Sequence, residues 1–334
     1  MKVGMKGVLS AGVALVAFTS LAVNLVGCTQ PENAKVDTEQ QAQNSPEQTE
    51  AQQVQQTTTP TTLKIAFPTR KDSTDLETKV DAVNKFLSKE LGMPVEAKIG
   101  DDAAAVEALR ANQVDVAFLS SKPALKAEEL ANARLYLAEV RPNYSGKQTY
   151  RSIIVVRKDS PLQSKSSAKE TLEQLRGKKM AFTSPTSTSG FVFPVSVLVK
   201  EGFVPDSDRL DQFFAQVTYG GDYSKALQAV LRGQADAAAV SEYALFPPYV
   251  SETEKNQLRV LHGIPGVPAH GVAIDDDVPQ QMRDKIVTAM LKLNQPENNQ
   301  ILRDLYNSTE LVEVDHNAHL QPLRDALKVA EKKS

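Results

Sequence analysis

A chain of 334 residues with 38 basic and 41 acidic side chains, a formal charge of −3 and 41% apolar residues can build one large core or two smaller ones, but has no basic excess to hold a nucleic acid. Its single cysteine excludes an intramolecular disulfide, and its four histidines (His262, His270, His316, His319) lack metal-ligand spacing with a second donor, so no metal and no cofactor is expected. Any anion must be held by local geometry rather than by a global field.

Met1 to Lys6 carry two lysines and no acid, and Val8 to Val26 are almost wholly apolar or small, the layout of a secretory signal. The run closes on Leu25-Val26-Gly27-Cys28, which resembles the bacterial lipobox. This implies removal of residues 1–27, lipidation of Cys28, and an exported chain anchored to a bacterial membrane, facing the periplasm or the cell exterior. An uncleaved membrane helix is the other reading of such a stretch, but the sole cysteine at its end points to lipid attachment. Residues 28–62 have no aromatic side chain and few apolar ones, and cannot bury enough surface to offset their ordering entropy. They are expected to be a disordered tether with a mean reach of about 30–35 Å.

From Leu63 the pattern alternates short apolar runs with amphipathic stretches. Strands are expected at 63–67, 95–99 and 114–119, with helices at 75–91 and 101–111 between them, the order of a parallel sheet. RSIIVV at 151–156 is a further strand. A second cycle follows: a helix around 172–175, a strand at 179–182, a helix at 190–201, a strand at 213–217, a helix at 224–231 and a strand at 235–240. Val260-Leu261 and Gly271 to Ile274 read as return strands, and three helices close the chain from Pro279, Pro296 and Leu320. The fold class is therefore α/β in two lobes, each a sheet flanked by helices, with residues 63–152 and 250–334 in the first and 153–249 in the second. A cleft between such lobes, at strand C-termini and helix N-termini, is the expected ligand site.

The sharpest local signal is Ser184-Pro-Thr-Ser-Thr-Ser-Gly190, between a strand and a helix. Ser187, Thr188 and Ser189 precede unpaired N–H groups of a first helical turn, whose dipole favours negative charge. The same residues also suit an ordinary N-cap with a polar loop, so the pattern alone leaves both readings open.

Three strings carry a family resemblance: Tyr150-Arg-Ser-Ile-Ile-Val-Val-Arg-Lys-Asp-Ser-Pro161, Leu175-Arg-Gly-Lys-Lys-Met-Ala-Phe182 and PTSTSGF at 185–191. Together with residues 226–240, Ile264 to Pro268 and Asp315 to Leu327, they resemble the phosphate-, phosphite- and phosphonate-binding proteins of ABC importers over nearly all of 63–330. The resemblance implies a type II periplasmic-binding fold with mixed sheets, no catalytic activity, a permease and an ATPase as partners, and a monomer. It implies that Ser187, Thr188 and Ser189 grip a small oxyanion and that Tyr150 lines the cleft. Where family members carry a His, this chain has Tyr219-Gly-Gly-Asp-Tyr-Ser224, which makes Asp222 or Tyr223 the replacement. Where an acidic ligand residue follows the strand ending at Val240, it has Ser241 and then Glu242. In place of Gly-Pro and an aromatic after Leu119 it has Ser120, Ser121 and Lys122, with Lys122 a cation at the cleft mouth.

Thr69 and Arg70, after the first strand, could face the cleft, but a solvated surface charge is the preferred reading of Arg70. Asp275, Asp276 and Asp277 read as a turn and as dipole compensation for the helix that follows. The eight tyrosines form no stripe. Alternatives to transport of a phosphorus oxyanion are capture of another small oxyanion, a tethered sensor on the same fold, and an exported phosphatase, although no base adjoins the hydroxyl loop to activate a nucleophile.

Overall fold

The computed structural model describes residues 61–71 and 74–331; the expected signal peptide, Cys28 and the expected tether as far as residue 60 lie outside the described residues. The first cycle runs β1 (Leu63–Pro68), α1 (Leu76–Leu91), β2 (Val95–Gly100), α2 (Asp102–Arg110) and β3 (Val116–Leu119), close to the sequence expectation. Leu76, Val80, Val83 and Leu87 recur at helical spacing on the buried face of α1. Gly92 then ends the helix in the left-handed region, at φ 68°, its N–H bonding the Ser88 carbonyl.

Next come α3 (Ser121–Ala131) and β4 (Arg134–Val140), for which the sequence reading made no assignment. Ser-Ser-Lys-Pro reads as a loop, although proline suits a first helical turn, and Glu139 interrupts the apolar pattern of β4 although it is buried. The second cycle comprises β5 (Thr149–Arg157), α4 (Ala168–Glu173), β6 (Lys179–Phe182), a π-helical turn (Thr188–Val192) running into α5 (Phe193–Lys200), β7 (Gln216–Tyr219), α6 (Tyr223–Leu231) and β8 (Ala237–Ser241). The strand expected from Phe213 begins later because Phe213 and Phe214 are buried core anchors after a 3-10 turn. The chain ends with α7 (Glu252–Lys255), β9 (Leu258–Pro268), β10 (Gly271–Ile274), α8 (Gln280–Leu291), α9 (Asn299–Tyr306), β11 (Glu310–Glu313) and α10 (His316–Ala330).

These strands form two mixed sheets, ordered β11-β4-β10-β3-β1-β2 and β7-β6-β8-β5-β9. The repeated architecture is visible in their cores. β2-β1-β3 and β7-β6-β8 are parallel triplets whose crossovers are the intervening helices. A shared detail fixes each register: Asp115 before β3 accepts the Lys64 N–H of β1 at 2.7 Å, and Asp236 before β8 accepts the Lys179 N–H of β6 at 2.8 Å. Strand alternation sends Ile65, Phe67, Val116 and Phe118 into a core under α1, α8 and α9, and Ala66, Ala117 and Leu119 into one under α2 and α3. In the second sheet Ile154, Val156 and Phe182 pack towards α5, and Ile153, Val155 and Ala181 towards α6. Each fully buried large side chain of this kind contributes about 1.5–3 kcal/mol.

The lobe boundaries differ from expectation. All of β5, from Thr149, belongs to the second sheet, and so does β9, which contains Val260 and Leu261 and pairs antiparallel along β5 from Pro268 to Leu258. The chain therefore changes sheet at 141–148 and at 269–270, rather than at 152/153 and 249/250. A long antiparallel partner was available to β5 only within its own lobe, and that pairing satisfies its backbone. The final helix joins the lobes: Leu320 of α10 packs into the first core, and Leu323, Ala326 and Ala330 into the second.

Candidate functional site

The C-terminal ends of β1, β3, β6, β7 and β8 open onto a cavity of about 700 Å³ between the two sheets. Its lining includes Thr69 to Lys71, Ser120, Lys122, Thr183, Ser184, Thr186 to Thr188 and Gly221 to Tyr223, all in segments that follow those strands. Convergence of this kind is a consequence of topology, since every crossover returns the chain to the same sheet edge.

On the second-lobe wall, Ser187 occupies the N-cap position, its hydroxyl accepting the Gly190 N–H at 3.0 Å. Gly190 has no alternative: a Cβ there would meet Thr183 Oγ1 at 2.2 Å and Ser187 Oγ at 2.8 Å. The close approach of Thr183, whose hydroxyl bonds the Ala239 carbonyl at 3.1 Å, locks the loop against β8. Ser189 is fully buried, its Oγ 2.8 Å from Tyr223 Oη and its carbonyl accepting from Ser152 Oγ at 2.6 Å. The cap reading of the sequence is thus correct for Ser187, while Thr188 keeps its hydroxyl at the cleft.

On the first-lobe wall, Ser120 caps α3 in extended conformation, its hydroxyl donating to Asp102 at 2.7 Å. Ser121 Oγ donates across the cleft to Thr188 Oγ1 at 3.3 Å, so the N-terminus of α3 faces that of the π-turn. A second link between lobes joins Lys71 Nζ to Asp222 Oδ1 at 3.7 Å. Two helix N-termini aimed at one space create a positive potential without a countercharge.

Residues 65–320 match the family model of the ABC-transporter phosphonate periplasmic substrate-binding proteins. The chain belongs to this family. Its members are substrate-binding components of ABC importers. The chain is 27% identical over 234 residues to the phosphate-import protein PhnD of Mycolicibacterium smegmatis, covering 69% of this chain and 71% of that protein. It is 27% identical over 226 residues to the phosphonates-binding periplasmic protein of Escherichia coli, covering 66% of this chain and 62% of the relative. A Prochlorococcus marinus protein solved in complex with methylphosphonate shares the fold, at TM-score 0.63 and 19% identity, over 80% of this chain and 97% of that one.

Against this family frame, the expected residues Ser187, Thr188, Tyr150, Ser120, Lys122, Asp222 and Tyr223 line the cleft. Ser121 and Ser189 lie just behind it, bonded to Thr188 and Tyr223. Asp222 is committed to capping α6, accepting the Lys225 N–H at 2.9 Å. Glu242 does not reach the cleft. It is buried and turned back on β5 and the crossing before it, accepting the N–H groups of Ser145 at 2.7 Å and Arg151 at 3.0 Å, and pairing with the Arg151 guanidinium at 2.8 Å. These three hydrogen bonds satisfy the buried carboxylate and hold it where it is.

Arg70 is the second correction. Its side chain is 10% exposed, lines the cleft, and lies 3.8 Å over the Tyr306 ring, with Nη1 bonded to both oxygens of Glu139 at 2.9 Å. Burial opposes its charge, but Glu139 more than compensates and holds its pKa above the ordinary value. Sequence reasoning missed Arg141, Tyr243, Tyr249 and His270, which also line the cavity. Arg141 and His270 stand where the chain changes sheet, a signal legible only once those crossings are known. Tyr144, Tyr150, Tyr223, Tyr243 and Tyr249 form a cluster with ring centroids 5.0–5.8 Å apart, assembled from separate loops and strands. Burial pushes the Tyr150 and Tyr243 hydroxyls well up, keeping them neutral donors.

The Asp275–Asp277 carboxylates lie within 4.8 Å of one another outside the cavity lining. Asp275 accepts the Asp277 N–H at 3.2 Å, as a turn requires. Burial, reinforced by the two neighbouring carboxylates, pushes Asp275 up to about 6.

Proposed function

We propose that this protein captures a phosphorus oxyanion in the interlobe cleft and delivers it to an ABC permease and its ATPase. The observation that carries the reading is the meeting of the Ser187–Thr188 turn with the N-terminus of α3, through the Ser121–Thr188 contact. Hydroxyls and amides surround a tetrahedral anion without a buried countercharge, and family membership supplies the solute class. In this proposal Thr188, Ser187 and the first N–H groups of the π-turn hold the phosphoryl oxygens, and Tyr150, Tyr223, Ser120 and Lys122 line the space around them.

The protein acts as a carrier and not as an enzyme. The hydrogen bonds of Ser187, Thr188 and Ser189 run to Gly190, Ser121 and Tyr223, so among the described residues none of these hydroxyls is joined to a His, Asp or Glu that would activate it. The chain works as an exported monomer held to its membrane through lipidated Cys28, a reading supported by the charged-then-apolar N-terminus and the single cysteine.

Calorimetric titration of the detergent-purified full chain with methylphosphonate, phosphite, phosphate and sulfate tests the function. Saturable one-to-one binding of at least one phosphorus oxyanion, with sulfate weaker, is the expected result. Absence of binding to all three phosphorus species overturns it.

A further inference from the structure

We propose that the first-lobe wall formed by Arg70 and His270 receives a second anionic group of the solute, so that the preferred ligand is a phosphonate bearing a carboxylate. The inference rests on the phosphorus-oxyanion reading and concerns the other end of the same cleft.

Arg70 has donor capacity that its protein partners leave unused. Its Nη1 is taken by Glu139, but Nη2 is buried without a hydrogen-bond partner. A buried guanidinium N–H left unsatisfied is costly, and a cleft that waits for ligand is a reason to tolerate it. The group cannot relax elsewhere, because its plane is held over Tyr306, whose hydroxyl is anchored on the Pro68 carbonyl at 2.8 Å. His270 adds a second orphan: its Nδ1 is buried without a partner, and it too lines the cleft. Burial and the two nearby guanidiniums hold its imidazole well below its ordinary pKa, so Nδ1 is available as a neutral donor in the appropriate tautomer.

The charge balance points the same way. Glu139 is shared between Arg70 at 2.9 Å and Arg141 at 3.5 Å, with Ser308 Oγ also donating to it at 3.0 Å, so one carboxylate serves two cations. The described carboxylates that line the cavity are all engaged: Asp102 by Ser120, Glu107 by Arg110, and Asp222 by the α6 cap and Lys71. Glu242 is turned away. An ammonium group on the solute therefore meets two guanidiniums and no waiting acid, whereas a carboxylate meets two cations that line the cavity, with unpartnered donors of Arg70 and His270 buried behind its wall. The cavity of about 700 Å³ accommodates more than a bare tetrahedral head group, and lies within the usual range for small organic ligands. The hydroxyl loop belongs to the second lobe and Arg70 and His270 to the first, so a solute with an anion at each end ties the lobes together.

The test is a calorimetric comparison on the detergent-purified full chain of 3-phosphonopropionate and phosphonoacetate with ethylphosphonate and 2-aminoethylphosphonate. One or two charge-assisted hydrogen bonds predict that the better phosphonocarboxylate binds about ten- to a hundredfold tighter than ethylphosphonate, with the aminoalkyl compound weakest. Arg70→Gln is expected to weaken the phosphonocarboxylate at least about tenfold more than it weakens ethylphosphonate. If that variant does not fold, the double variant Arg70→Gln, Glu139→Gln substitutes a neutral amide pair, and the wild-type comparison stands without any variant. Equal wild-type affinity for ethylphosphonate and both phosphonocarboxylates overturns the proposal while leaving oxyanion capture intact. So does an equal loss for both ligand types in Arg70→Gln, which assigns Arg70 to the phosphoryl group itself. Failure of every phosphorus compound to bind removes the parent reading together with this one.

Discussion

Thr188→Val separates the anion grip from the helix cap. Valine keeps the β-branched shape and deletes one hydroxyl, at a residue that is 8% exposed. In the ligand-free protein that hydroxyl has a single long contact, Ser121 Oγ at 3.3 Å, so its loss costs about 0.5–1.5 kcal/mol of stability. For a folded unit of this size that is a fall in Tm of roughly 1–6 °C. With an oxyanion bound, the same hydroxyl donates to a charged acceptor, a bond worth about 1.5–3 kcal/mol, so Kd should rise about ten- to a hundredfold. The assay is calorimetric titration with methylphosphonate, phosphite and phosphate, paired with thermal melts of the ligand-free variant. Ser187→Ala is the contrast, because it removes the cap on Gly190 and should cost about 0.5–2 kcal/mol of stability whether or not ligand is present. Unchanged affinity of Thr188→Val for all three oxyanions, with the melts shifted as expected, refutes the placement of the phosphoryl group at this turn.

Lys122 is half-buried at the cleft and joined by no hydrogen bond or ion pair to a described residue; Lys122→Gln should weaken a phosphoryl dianion more than a monoanion, seen as a flattened rise of affinity with pH between roughly 5 and 8, around the second phosphoryl pKa of ~6. Ser121–Thr188 and Lys71–Asp222 are long, weak contacts across the cleft, so the lobes should part in solution without ligand; saturating ligand should then lower the radius of gyration in solution scattering, and superimposable curves would count against closure. Because Asp275 is pushed up to about 6 from 3.8, its ionised form opposes folding: the folded state holds the proton more tightly, and stability falls as pH rises through that window. Asp275→Asn keeps the bond from the Asp277 N–H and should raise the melting temperature at pH 7.5 more than at pH 4, by about 1–3 kcal/mol of stability; an equal effect at both values rejects the sign. Cys28→Ala should release the exported protein from membranes into the soluble fraction, and undiminished membrane retention argues against lipid anchoring.

Local chemistry determined what the sequence could tell. Local pattern places β1, α1, β2, β6 and β10 almost to the residue: α1 buries one face at helical spacing, while β1, β6 and β10, buried on both faces, leave short continuous apolar runs. The Ser-Thr turn is equally legible, since a cap and the helix that follows it are properties of contiguous residues. The sheet to which each strand belongs is not such a property. β9 and β10 are separated only by Ala269 and His270, yet they pair in different sheets, and only the competition for β5 and β4 as partners decided it. Burial of charge was hidden for the same reason. Arg70 looks like a surface residue until Glu139 from β4 and Tyr306 from α9 are brought to it, and Glu242 looks like a ligand until three donors around the hinge claim it. Arg70, His270 and the tyrosine cluster come from segments far apart in the chain, so their meeting is a product of topology: residue types set what each group can bind, and the tertiary structure set which of them are left with something still to bind.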